Sequence, residues 1–155
     1  MTSAGTYRQI CITAPADGFT GPVVAGWIER IVDPIRLGWV ALTDVDLASD
    51  PPPTVSVGAR ELLVLPYATL LDRLGRAVQV VWASMFFCQG ESDAQSISAD
   101  ETYQDSTRKA GIVVRVVDAT YIYVIGPLQS LRPLEGVFPS AHTQDGAVDD
   151  LDFPE

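Results

Sequence analysis

The residue types able to make or break bonds are scarce in this 155-residue chain and lie far apart along it. The one histidine, His142, falls in a run of acids near the C-terminus, so histidine triads and multi-histidine zinc sites lack members. Cys11 and Cys88 each sit among apolar neighbours, a setting that keeps a thiol protonated and inert. Lys109, the sole lysine, follows Arg108 and has the setting of a solvated cation, not of a nucleophile. Twenty acids would supply carboxylate chemistry, but no pair is set at a defined separation. The expectation is therefore no catalytic residue, no metal, no cofactor and no enzyme activity.

Two short stretches carry the residue types of a ligand site. In "GFTGPVVAG", Gly18 and Gly21 stand at a strand-to-helix turn that would offer backbone N–H groups to a phosphate. Asp44 and Asp46 close the next strand, where alternation would point both carboxylates the same way, toward a ribose hydroxyl or a divalent cation. The spacing departs from G-x-G-x-x-G, Pro22 removes a donor, and no third ligand accompanies the Asp pair. A nucleotide- or small-ligand-binding enzyme built on this turn is thus an alternative reading, as is an accessory subunit of a bacterial assembly.

Charge is the stronger signal. Ten basic residues face twenty acids, for a net charge of -10 and a pI near 4.3, which disfavours direct contact with nucleic acid phosphates and favours a basic partner. The acids concentrate in "QGESDAQSISADETYQDS" (89–106), which contains no base. Glu91, Asp93, Asp100, Glu101 and Asp105, with the ring of Tyr103 among them, form the expected partner-binding surface. Ser98 and Glu101 have capping-box spacing for a short helix there. One lysine, no asparagine and abundant Ala, Arg, Pro and Gly suggest a GC-rich, bacterial coding sequence.

The elements that would position these residues follow from periodicity. "TYRQICIT" (6–13), residues 35–43 and residues 61–65 read as strands, and "AVQVVWASMFFC" (77–88), apolar on both alternating faces, reads as a central one. "GIVVRVVDATYIYVIG" reads as an antiparallel hairpin of 112–117 and 120–125, although Asp118-Ala119 is not a favoured primed-turn pair; it puts Tyr121 and Tyr123 on one strand face. Helical spacing runs from Pro22 to Asp33 and again from Pro66 to Leu74, closed by Gly75, while "ASDPPPT" is a loop. Trp27, Trp39 and Trp82 belong to apolar patterns and are expected in the core.

The fold expectation is a single α+β domain over 1–139, with one largely antiparallel sheet of about five to six strands and two or three helices packed on one face. Residues 140–155 should form an acidic, disordered tail. With no signal sequence, no long apolar run and only two cysteines, a cytoplasmic protein away from membranes is expected. The functional expectation is a small acidic binding protein, most concretely an immunity protein that blocks a basic toxin domain by covering its cationic cleft.

Overall fold

The computed structural model describes residues 5–14, 18–49, 56–58, 61–98, 100–138 and 141–151. Among these, eight strands form one antiparallel sheet: β1 (Tyr7–Thr13), β2 (Trp39–Ser49), β3 (Ser56–Val57), β4 (Leu63–Pro66), β5 (Ala77–Cys88), β6 (Ile112–Val117), β7 (Tyr121–Pro127) and β8 (His142–Gly146). Five helices accompany it: α1 (Gly21–Ile31), α2 (Tyr67–Gly75), α3 (Glu91–Gln95), α4 (Tyr103–Lys109) and α5 (Leu128–Leu131). The strands lie in the order β3-β2-β5-β6-β7-β1-β8, with β4 sharing the outer edge of β2 with β3. The α+β class and the antiparallel sheet agree with the sequence reading, but eight strands exceed the expected five to six. The loop at Pro51–Pro53 lies outside the described residues.

Strand β5 occupies the span expected of it. Met85 and Phe87 point into one core and Phe86 and Cys88 into the other, each no more than 2% exposed. A strand with both faces apolar needs a cover on each side. Helices α1 and α2 bring Phe19, Val24, Ile28, Leu70 and Leu74 to the first face, and Leu131 of α5 joins them. Ala94, Ile97, Tyr103 and Leu151 cover the second. The expectation of two or three helices on one face is corrected accordingly: five α-helices occur among the described residues, and the connection from β5 to β6 packs against the opposite face.

Helix α1 begins where Thr20 caps it, its hydroxyl accepting from the Val23 N–H, with Pro22 in the first turn. Gly21 permits a close approach: a Cβ there would stand 1.8 Å from the Leu74 carbonyl oxygen and 2.5 Å from that of Ala77. The positive end of α1 therefore meets carbonyl oxygens where α2 gives way to β5. Strand β2 starts at Trp39, later than expected, because residues 33–37 form a turn in which Asp33 accepts from the N–H groups of Ile35, Arg36 and Leu37. Further along β2, Asp44 adopts a left-handed φ of 50° and the pairing with β5 shifts register, so alternation fails between Asp44 and Asp46.

The hairpin joining β6 and β7 also departs from expectation. Asp118 and Ala119 are both left-handed, at φ 49° and 52°, and the Thr120 N–H donates to the Val117 carbonyl at 3.0 Å, which is a primed turn made from an unfavoured pair. Neighbouring strands impose it. The Ala119 N–H donates to the Val81 carbonyl and the Ala14 N–H to the Thr120 carbonyl, both at 2.8 Å.

The segment expected as a loose tail is tied to the sheet over its described part. Strand β8 pairs with β1 from Tyr7↔Gly146 to Cys11↔His142, and Val148 and Leu151 are buried. Its acids find their bases far away in sequence. Arg8 donates to Asp145 at 2.8 Å and to Glu135 at 2.9 Å, holding the Asp145 carboxyl below its usual range, and Arg108 of α4 pairs with Asp149.

Two substitutions test this description. Ala119→Gly should stabilise the protein by about 1 kcal/mol, since a left-handed alanine is strained and glycine is not. Gly21→Ala should destabilise it by about 3 kcal/mol or more, because the added methyl meets backbone atoms. Chemical denaturation midpoints check both, and an unchanged midpoint in either variant contradicts the corresponding geometry.

Candidate functional site

The acidic stretch 89–106 divides into residues used internally and residues presented outward. Tyr103 stacks on Phe86, ring centres 5.5 Å apart, beneath the Arg115 guanidinium, whose carbon lies 5.0 Å from the ring centre. Part of its ring edge reaches solvent but its hydroxyl is enclosed, and burial pushes the phenol far up despite the nearby Arg115 charge. Tyr103 is therefore a core residue of this chain and not a free anchor.

Glu101 is a structural junction. Its carboxylate accepts from the Ser98 N–H at 3.0 Å, from the Ser106 hydroxyl at 2.9 Å and from Lys109 Nζ at 2.7 Å, while Lys109 also donates to the Ser96 carbonyl. Partial burial opposes the charge, yet the Lys109 and Ser hydrogen bonds outweigh it and hold the carboxyl below the usual glutamate range. The Ser98–Glu101 capping contact thus forms, but it closes a turn: α4 itself starts after Thr102, which caps it by accepting from the Asp105 N–H. Asp105 in turn pairs with Arg108 at 2.9 Å.

Glu91, Asp93 and Asp100 remain. All three are exposed, and no ion pair among the described residues involves them. Glu91 and Asp93 lie in the first turn of α3, where negative charge suits the helix end. Asp93 also lines an open cleft of about 430 Å³ between the turn at Ile35, Arg36 and Leu37 and the ends of β5 and α4, at Gln89 and Lys109. Ile35 is 93% exposed on its rim. A lone surface isoleucine needs no function. This one, however, is held outward by the Asp33 turn, at a cleft it shares with Asp93, Arg36 and Lys109. Sequence reading assigned Ile35 to a strand; the signal available was Asp33-Pro34, a turn-initiating pair.

Comparison with protein-family models, curated proteins and solved structures found no match.

The Gly18/Gly21 turn has the wrong surroundings for a phosphate. The space a ligand oxygen would need beside Gly21 is taken by the Leu74 and Ala77 carbonyl oxygens, which would repel it. Asp44 and Asp46 are separated by the bulge, and no group of three or more His, Cys, Asp or Glu able to hold a metal occurs among the described residues. Cys88 is fully buried and its thiol pushed up to about 12 by burial, with Asp93 adding to the rise. His142 is exposed on β8, in a defined position that the tail reading did not foresee.

Glu101 supplies a test. Its folded carboxyl titrates lower than the unfolded value near about 4.3, so its contribution is complete above that value and fades as the pH falls through the lower folded one. Glu101→Gln should lose about 2 kcal/mol at pH 7, as expected for hydrogen bonds to a charged group. That deficit should shrink under acid conditions in urea titrations run at several pH values. An equal deficit at pH 7 and pH 3 would contradict the role.

Proposed function

We propose that this chain is an acidic binding protein that captures a basic protein partner at the Ile35 cleft, in the concrete form of an immunity protein covering the cationic substrate cleft of a toxin. The observation that carries the reading is the juxtaposition at one cleft of a pre-set apolar knob, Ile35, and the exposed Asp93 carboxylate, which forms no ion pair among the described residues. The net charge of -10 draws a cationic surface in, and the uncompensated acids of α3 orient it. Ile35 then loses its water on contact; because the Asp33 turn already fixes it, little ordering entropy opposes the step. This chain's carboxylates would then stand where the toxin's substrate phosphates belong. The contact set expected from sequence narrows from six residues to Glu91, Asp93 and Asp100, with Ile35 added; Glu101, Tyr103 and Asp105 serve the fold.

No helix among the described residues is long and apolar enough to cross a membrane. The experiment is to measure association with a panel of cationic toxin domains, nuclease domains among them. The triple variant Glu91→Lys, Asp93→Lys, Asp100→Lys should fold normally and associate about 10-fold or more slowly, with a flattened salt dependence. Ile35→Ala should dissociate about 10-fold faster, the loss of one buried anchor side chain. If both variants bind like the natural protein, or if the natural protein binds no cationic domain, the proposal fails.

A further inference from the structure

On the second face of the sheet, one row of directly opposed residues crosses five strands: Ser84 of β5, Arg115 of β6, Tyr123 of β7, Cys11 of β1 and His142 of β8. The rows beside it are apolar toward the middle of the sheet, with Val113 and Ile125 next to Phe86. The row itself is polar throughout. Its inner end lies under Tyr103, whereas its outer end opens to solvent: Cys11 is half-buried and His142 exposed. Tyr123 of β7 and His142 of β8 stand at the positions directly opposed to Cys11 on its two neighbouring strands.

We propose that Cys11 and His142 form a two-ligand site for a soft monovalent cation of the Cu(I) class, with sulfur supplied by β1 and imidazole nitrogen by β8. Three considerations lead there. The first is reach: side chains at directly opposed antiparallel positions have Cβ atoms about 4.5–5.5 Å apart. In a linear arrangement a metal–sulfur bond of about 2.3 Å and a metal–nitrogen bond of about 2.0–2.1 Å set the two donors about 4.3–4.4 Å apart, a span that side chains rising side by side from opposed positions can present. The second is softness, since thiolate and imidazole are the donors shared by copper and zinc proteins, and a structural zinc site needs four protein ligands where this one has two.

The third is charge. Binding releases the thiol proton to solvent and forms one sulfur–metal and one nitrogen–metal bond; the thiolate and the monovalent ion cancel, so the half-buried position gains no net charge. A divalent ion would leave one positive charge there. Tyr123, opposed to Cys11 on β7, supplies the neighbouring hydroxyl on the other side of the sulfur. Cys88, enclosed in the core, takes no part.

The test uses the whole protein and Ag(I), the redox-inert analogue of Cu(I), in chloride-free buffer. Native mass spectrometry should show one silver ion per chain, retained by Cys88→Ser and lost by Cys11→Ser and by His142→Ala. Tyr123→Phe should bind about 10-fold more weakly. As a measurement needing no variant, one equivalent of Ag(I) should protect Cys11 of the natural protein from iodoacetamide, as mapped by peptide mass. Silver uptake unchanged in His142→Ala, or Cys11 alkylated at the same rate with and without the ion, overturns the proposal.

Discussion

Strand β5 has no side that can face water over its last six residues, Ala83 to Cys88. Each large apolar side chain there is worth about 1.5–3 kcal/mol when buried and is lost if either face opens. The fold answers this with two covers of different kinds. The first is a pair of helices locked together at Gly21, where only a residue without a side chain lets α1 approach the end of α2. The second is thinner, made of short helices and small residues such as Ala94, Ser106 and Thr107, with Tyr103 as its one large ring. An acidic connection is thereby made into a structural layer.

That layer explains how a strongly acidic chain uses its few bases. Arg8 and Arg108 join elements distant in sequence, Arg8 fastening β1 to Glu135 and to β8 and Arg108 fastening α4 to Asp149, while Lys109 closes the nearby Glu101 junction. Exposed pairs of this kind are individually weak, and the partly enclosed Arg8 and Glu101 groups matter most because several hydrogen bonds converge on each. Bases committed to tertiary ties are unavailable to neutralise α3. Its carboxylates are left exposed without ion pairs among the described residues, and one of them, Asp93, lines the cleft together with Arg36 and Lys109.

The same sheet also shows why its outer half differs from its centre. Outward from Tyr103 the residues of the second face change from Val113, Phe86 and Ile125 to Tyr121, Cys11 and His142. Burial decreases outward along the row from Ser84 to His142. Chemistry-bearing groups that are remote in the chain become neighbours because the first strand lies between β7 and β8.

By itself the sequence determined whatever depends on neighbours within about ten residues. The two-faced apolar run places β5, Pro66 and Gly75 bracket α2, the Val and Tyr runs make the β6–β7 hairpin, and the acid count sets the charge. Tertiary structure decided what covers each face, because periodicity records that a side is apolar but not which segment lies on it. It likewise decided the fate of the C-terminal acids, whose arginine Arg8 lies 137 residues from Asp145, and of Glu101, Tyr103 and Ile35. The pairing of Cys11 with His142 belongs to the same class: strand register is a long-range property, fixed when the sheet closes, and no local pattern carries it.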